Sequence, residues 1–155
     1  MDVQRDESRV TYSMIDVMRI HSYLTFNGNC RDAMTFYQDC LGGELTFQTI
    51  GESPLSNKMP KQMKDCILHA TLKKETLVLQ GSDIVSQTGL IKGNTVSLSL
   101  NCNSEEELKK VYAKLSAEGK ANHPLKKTFW GALFGNLTDK YGNHWILNFN
   151  KNSTN

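Results

Sequence analysis

The chain has 155 residues, of which 39% are hydrophobic and 22% are charged, a composition typical of an ordinary globular domain. Its formal net charge of +2 is too small to indicate a nucleic-acid partner or an anionic membrane surface. No apolar run approaches the roughly 20 residues needed to span a bilayer. The polar N-terminal residues also lack the apolar segment of a signal peptide. We therefore expect a cytoplasmic protein without nucleic-acid or membrane partners.

The first half of the chain predicts one strand–helix–strand–strand–strand unit. Residues 20–26 alternate between apolar and polar side chains, which predicts a strand. Asn29 is expected to cap the following helix, which carries apolar side chains at helical spacing and ends at a Gly-Gly pair. Residues 51–64 show no clear period and are predicted to form a long loop, of a length that is usually functional or mobile. Further strands are predicted at 44–50, 66–72 and 76–80.

The second half repeats this order after a polar linker at 82–92. Ser104 and Glu107 have the spacing of a capping box, which marks a helix N-terminus. Gly119 is expected to end that helix, and Pro124 indicates that the next strand lies at a sheet edge. The remaining strands are predicted at 95–101, 121–126, 132–138 and 144–149.

An internal repeat relates the two halves. Residues 24–27 (LTFN) correspond to residues 98–101 (LSLN), an offset of 98 − 24 = 74, and Tyr37 corresponds to Val111 at the same offset. One four-stranded half cannot bury its sheet alone. We therefore predict an α+β fold in which two βαβββ modules form one curved mixed sheet with the helices outside. The concave face of that sheet is the expected small-molecule pocket.

Four stretches resemble one protein family: YLTFNGNCRDAMTFYQDCLGGE, ILHATLKKETLVLQGSD, VSLSLNCNSEEE and TFWGALFGNLTDKYGNHW. Together they resemble the PhnB-like branch of the vicinal oxygen chelate superfamily, which includes glyoxalase I, bleomycin-resistance proteins and extradiol dioxygenases. The resemblance implies paired βαβββ modules, a cup-shaped site and a homodimer. Members of this branch often carry the name 3-demethylubiquinone 3-methyltransferase. This chain, however, lacks the Gly-rich turn and the alternating βαβα order of a doubly wound methyltransferase.

The resemblance and the repeat together predict the domain boundaries. An N-terminal extension at 1–19, which we expect to be partly flexible, and a tail at 151–155 flank one domain at 20–150. Module one is expected at about 20–83 and module two at about 94–150.

The metal-ligand positions of the superfamily are mostly filled by other residue types in this chain. By resemblance, His21 matches the first ligand, whereas Thr95 stands at its repeat equivalent (21 + 74 = 95). Gln80 stands where a carboxylate is expected, and Ile146 replaces the closing Glu. A catalytic zinc normally has three protein ligands. We therefore expect no cofactor, with His21 the only family-matched ligand position, and keep a divalent metal bound by another ligand set as an alternative.

Five residues are predicted to bind a ligand in the cup. His21, His69 and Gln80 are expected to point into one cavity, where buried polar groups need hydrogen-bond partners. Trp130 and Phe134 belong to the family's wall motif and would offer flat apolar surface to an aromatic ligand. For either histidine taken singly, a hydrogen-bonded core residue is the simpler interpretation.

Other polar or reactive residues are predicted to be structural. Asp139 fits a turn-capping role in Asp-Lys-Tyr-Gly, and Trp145 in the closing strand is expected to be core. Cys66 and Cys102 are expected to be small apolar strand residues. None of the four cysteines is in a C-x-x-C pair, which indicates free thiols rather than a zinc ribbon. No catalytic residue is assigned.

Three functions are compatible with these patterns. The first is a PhnB-like protein that binds a small aromatic or hydrophobic molecule in a cup without a metal. The second is a metal-dependent lyase, isomerase or dioxygenase that uses His21 and further ligands. The third is a dimeric structural or interaction protein whose cup is filled by its own side chains.

Overall fold

The structure, a computed structural model, describes residues 17–151. Most of the predicted N-terminal extension and C-terminal tail lies outside these residues. The first module comprises β1 (Ser22–Thr25), α1 (Cys30–Leu41), β2 (Glu44–Thr49), β3 (Ile67–Lys74) and β4 (Leu77–Ser82). The second comprises β5 (Leu98–Asn101), α2 (Glu105–Ser116), β6 (Lys120–Lys127), β7 (Ala132–Thr138) and β8 (His144–Asn150). The predicted βαβββ repeat and the α+β class are confirmed.

Each module forms a four-stranded mixed sheet. The strand orders are β1-β4-β3-β2 and β5-β8-β7-β6. In both, the first strand pairs in parallel with the fourth, and the other pairs are antiparallel. The strands of the predicted curved sheet therefore fall into two hydrogen-bonded sheets within residues 17–151. The edge strand predicted around Pro124 is β6, and its register shifts on both sides of His123.

The two helices pack the modules around a shared hydrophobic core. Both helices bury the apolar stripe that the sequence predicts, including Tyr37 in α1 and Leu115 in α2. These side chains belong to one cluster with Leu72 of the first sheet and Leu147 of the second. Trp145, predicted to be core, is 3% exposed and lies in the same cluster. Each sheet therefore has one face covered by helix and one face open.

The N-termini of the two helices are capped in different ways. At α2, Ser104 Oγ accepts a backbone hydrogen bond at 3.1 Å, as predicted. At α1, the side chain of Asn29 makes no capping bond, so that prediction is wrong. Asp83 Oδ1 instead accepts from the backbone N–H groups of Gly28 at 2.9 Å and Cys30 at 3.0 Å. A carboxylate at this end of α1 also complements the helix dipole.

The predicted loop at 51–64 contains two short 3₁₀ turns, Pro54–Asn57 and Lys61–Met63. The base of the loop is closed by a 2.9 Å hydrogen bond from Ile50 N to Cys66 O. The segment is therefore tied to the ends of β2 and β3. In the described chain, 17–151, no helix is long and apolar enough to cross a membrane.

Because two thiols are buried, we predict that the protein loses stability at alkaline pH. Burial raises the pKa of Cys30 to about 12 and that of Cys40 to about 11, from an ordinary value of 9.0. As the pH rises, the unfolded chain loses these protons first, which stabilises the unfolded state. The free energy of unfolding should therefore be unaffected by these thiols below pH 9. Above pH 9, the free energy of unfolding should fall by up to about 1.4 kcal/mol per pH unit for each thiol.

Urea denaturation at about pH 7 to pH 10.5 checks this expectation. The double variant Cys30→Ala/Cys40→Ala should begin less stable at neutral pH, because it loses packed side-chain volume. Its stability should then fall less steeply with pH than that of the wild type. Equal slopes in the two proteins would contradict the proposed role of the thiols.

Candidate functional site

The predicted ligand-binding residues of the first sheet lie on the face that α1 does not cover. Leu72 and Leu79 are buried in the core, and successive side chains of a strand point to opposite faces. The residues next to these leucines therefore point away from the helix. We call this surface the first open face, and its two central rows comprise Tyr23, Thr46, Gln48, His69, Thr71 and Gln80.

Gln80 is at the centre of the first open face. It is paired in register with Tyr23 of β1 on one side and with Thr71 of β3 on the other. The half-buried Gln80 side chain has no hydrogen-bond partner within residues 17–151. An amide that is partly withdrawn from water and unpaired within the protein is available to bind a ligand.

His69 supplies a ring next to this amide. Its centroid lies 6.0 Å from that of Tyr23, with 33° between the ring planes. His69 Nε2 is 3.0 Å from Thr71 Oγ1, so the hydroxyl orients the imidazole. The structure therefore brings His69 and Gln80 onto one surface together with Tyr23, a residue that the sequence analysis did not single out.

His21 lies apart from this group. β1 begins one residue later, and Tyr23 rather than His21 is in register with Gln80. The exposed His21 lines a different cavity of about 440 Å³ at the boundary between the modules, which is also lined by Asn101 and Glu107. The lining of this cavity includes neither His69 nor Gln80, the two polar residues with which His21 was expected to share a cavity.

Trp130 and Phe134 belong to the second module. Phe134 is half-buried in β7, in register with Asn148 of β8, on the face of that sheet turned away from α2. Trp130 lies in the connection between β6 and β7 and is 55% exposed. The ring of Phe129 packs edge-on against Trp130, with 4.7 Å between the ring centroids. The five predicted residues are therefore distributed over two sheets, the β6–β7 connection and the segment just before β1.

The second open face, on which Phe134 lies, is also polar, but several of its polar groups bind one another. Thr138 Oγ1 is 3.0 Å from His144 Nδ1, and His123 Nδ1 is 3.0 Å from Asn136 Oδ1. These hydrogen bonds satisfy groups that would otherwise be available to a ligand. The first open face, with its unpaired Gln80, is the stronger candidate for a binding surface.

Asp139 caps the turn that follows it, as predicted, and has a second role. Its carboxylate is 3% exposed, and Oδ1 accepts from the backbone N–H groups of Tyr141 and Asn143 at 2.9 and 3.1 Å. Oδ2 accepts from Tyr37 Oη at 2.6 Å and from Trp145 Nε1 at 2.8 Å. Burial, with Asp139 beside it, raises the pKa of Tyr37 far above its usual range. Because Tyr37 lies in α1, this network joins the two modules and is structural.

The donor set of the described chain does not fit a catalytic divalent metal. The four positions identified by resemblance hold His21, Gln80, Thr95 and Ile146, which offer one imidazole and one amide between them. Within residues 17–151, no three His, Cys, Asp or Glu side chains are grouped so that they could hold a metal ion. Catalytic zinc sites use three protein ligands, and non-haem iron sites use two histidines and a carboxylate.

Comparison with known proteins identifies the family. The pattern of the Glyoxalase/Bleomycin resistance protein/Dioxygenase superfamily matches residues 19–147. Protein YjdN of Escherichia coli (strain K12) is 34% identical over 144 residues, which cover 84% of this chain and 95% of YjdN. The structure of protein PA1353 from Pseudomonas aeruginosa has a TM-score of 0.75 and 38% identity, covering 86% of this chain and 98% of PA1353.

A second similar structure is that of the PhnB protein from Bacillus cereus, whose name also includes 3-demethylubiquinone-9 3-methyltransferase. It has a TM-score of 0.68 and 25% identity, and the match covers 85% of this chain and 99% of the PhnB protein. The family match spans both βαβββ modules, and these relatives match over nearly their whole length. The chain therefore belongs to the glyoxalase/bleomycin resistance protein/dioxygenase superfamily and has a PhnB protein among its structural relatives.

Proposed function

We propose that this protein binds a small aromatic or hydrophobic molecule at the first open face and does not use a bound metal. The observation that carries the proposal is the half-buried Gln80 amide, which has no partner within residues 17–151 and is in register with Tyr23. A flat ligand would gain apolar contact with the rings of Tyr23 and His69. Gln80 would fix its orientation by hydrogen bonding.

We further propose that a second copy of the chain closes the cup. One open face is a single wall, and a small-molecule site ordinarily buries most of its ligand's surface. Trp130 and Phe134 are available to form an opposite wall. Ile20 and Phe129 are 99% and 97% exposed, and a second copy of the chain would cover such apolar side chains. Analytical ultracentrifugation should give twice the chain mass of 17.5 kDa.

Metal independence is supported by the donor set. The four positions that resemblance identifies offer too few ligands for either a zinc or an iron centre. Elemental analysis of the natively purified protein should therefore find no stoichiometric zinc, nickel, iron or manganese. One such ion bound tightly per subunit would instead support the metal-dependent lyase, isomerase or dioxygenase.

The binding proposal predicts a specific effect of Gln80→Leu. In a fragment screen followed by ¹⁵N NMR, aromatic hits should shift the signals of Tyr23, His69 and Thr71 and the side-chain amide of Gln80. Gln80→Leu keeps the size of the side chain and removes its hydrogen bonds. It should weaken the strongest hit by about tenfold, as expected for the loss of roughly one to two net hydrogen bonds.

Gln87→Leu is the matched control, because Gln87 is exposed in the linker between the modules. It should change the affinity by less than about twofold. Hits that shift only signals outside the first open face would contradict the binding proposal. The same holds if Gln80→Leu binds the hit as tightly as the wild type does.

A further inference from the structure

The two central rows of the first open face carry no Asp, Glu, Lys or Arg. Apart from the imidazole of His69, their side chains end in amide or hydroxyl groups. Beyond them on the same face, Lys73 and Glu44 stand opposite each other in register. Because these two exposed charges have opposite signs, they largely offset each other. The two central rows around Gln80 therefore offer hydrogen bonds and carry no fixed charge of their own. Lys92, which lines a cavity with Tyr23, donates to the backbone carbonyl of Tyr141.

A charged ligand is poorly matched to such a surface. Removing a carboxylate or an ammonium group from water is unfavourable unless a counter-charge and hydrogen bonds replace the lost hydration. The central rows offer hydrogen bonds but no fixed counter-charge. An uncharged polar group loses much less on leaving water, and the same amide and hydroxyl groups can satisfy it.

The unpaired groups also indicate what the ligand must offer. The Gln80 amide can donate and accept, and so can the hydroxyl of Tyr23, which has no hydrogen-bond partner in the described part of the chain. His69 engages Thr71 through Nε2, which leaves Nδ1 facing away from that bond. A ligand group that both donates and accepts hydrogen bonds matches this set. A carboxamide donates and accepts through separate atoms, and a hydroxyl does both through its one oxygen.

Building on the proposed binding function, we infer that the ligand is an uncharged planar ring that bears a carboxamide or hydroxyl group. The ring lies against Tyr23 and His69, and its polar group binds the amide of Gln80. Neutrality distinguishes this ligand class from the carboxylates and amines of similar size, which present the same ring with a net charge.

A matched series of probes tests this inference. Benzamide, benzoate, benzylamine and toluene share one ring and differ in charge and in hydrogen bonding. Each is titrated into the protein at about pH 8, where imidazole side chains are ordinarily neutral. The side-chain amide signals of Gln80 are followed by ¹⁵N NMR. Benzamide should bind at least about tenfold more tightly than each of the other three.

Gln80→Glu, followed through the backbone amide signals of Tyr23, His69 and Thr71, reverses the expected charge preference. It keeps the shape of the side chain and places a carboxylate at the centre of the face. Benzylamine should then gain about tenfold in affinity and benzamide should lose affinity, because an opposite charge is now present. Gln87→Glu, in the exposed linker, adds the same charge elsewhere and should leave the preference for benzamide unchanged.

The outcomes separate this inference from the binding proposal. The neutral-ligand inference is overturned if benzoate or benzylamine binds to the wild type at Gln80 as tightly as benzamide does. That result would leave the binding proposal unaffected. The neutral-ligand inference is likewise overturned if none of the four probes shifts Gln80 while a fragment of another chemical class does. The binding proposal itself fails if no fragment shifts the signals of this face, or if Gln80→Leu binds the strongest hit as tightly as the wild type does.

Discussion

Replacing Asp139 with alanine should lower the free energy of unfolding by about 3–5 kcal/mol. The carboxylate accepts four hydrogen bonds, and two of the donors are the buried side chains of Tyr37 and Trp145. Asp139→Ala leaves all four donors without this acceptor, and each unpaired buried donor costs about 1–3 kcal/mol. Because the four share one acceptor, the individual losses do not simply add.

Urea denaturation followed by circular dichroism measures this loss. Asp65→Ala is the control, because Asp65 is exposed and should change stability by less than about 0.5 kcal/mol. A loss below about 1 kcal/mol for Asp139→Ala would contradict the role assigned to the carboxylate.

Tyr37→Phe tests the link between the modules even if Asp139→Ala does not fold. It removes the bond to Asp139 and also the partner of Asn143 Nδ2, which lies 2.7 Å from Tyr37 Oη. The expected loss is about 1–3 kcal/mol. If Asp139→Asn folds, the double-mutant cycle of Tyr37→Phe with Asp139→Asn should show a coupling of about 0.5–3 kcal/mol. Additive effects would show that the two residues do not act together.

The second large effect is expected for Asp83→Ala, which should lower the free energy of unfolding by about 2–4 kcal/mol. Its carboxylate accepts from the backbone N–H groups of Gly28, Cys30 and Ile67 at 2.9, 3.0 and 2.8 Å. It thereby connects the N-terminus of α1 and the start of β3 to the end of β4. Hydrogen exchange should report faster exchange at the amides of Cys30 and Ile67 in the variant.

Asn29→Ala is the matched control for Asp83. Asn29 occupies the capping position of α1 by sequence, but its side chain makes no capping bond. We therefore expect Asn29→Ala to cost less than about 0.5 kcal/mol. A larger loss of stability for Asn29→Ala than for Asp83→Ala would show that Asn29, and not Asp83, caps α1.

These two aspartates show where sequence reasoning about the fold ends. The helices, their buried stripes and the Ser104 cap could be predicted, because hydrophobic periodicity and capping are local properties of a few adjacent residues. Asp83 reaches Cys30 across 53 residues, and Asp139 reaches Tyr37 across 102. No spacing rule connects residues at such separations, since their proximity arises only when the strands and helices have packed.

The same distinction applies to the candidate site. His69 and Gln80 could be placed in neighbouring strands, since alternation and strand order follow from the sequence. The pairing of Tyr23 with Gln80 depends on the register of β1, which begins at Ser22. A shift in register changes which residue stands beside Gln80, so Tyr23 was missed and His21 was placed too close. The division of the strands into two sheets likewise separates Phe134 from Gln80.

The central claim is that a small molecule binds beside Gln80 without a metal. Its most direct test is a titration of chelator-treated protein with the strongest aromatic fragment, followed through the side-chain amide signals of Gln80. We predict a saturable shift whose dissociation constant changes by less than about twofold when zinc, nickel or manganese is added back. A shift that disappears with the chelator and returns with a metal, or binding that leaves Gln80 unaffected, would contradict the claim.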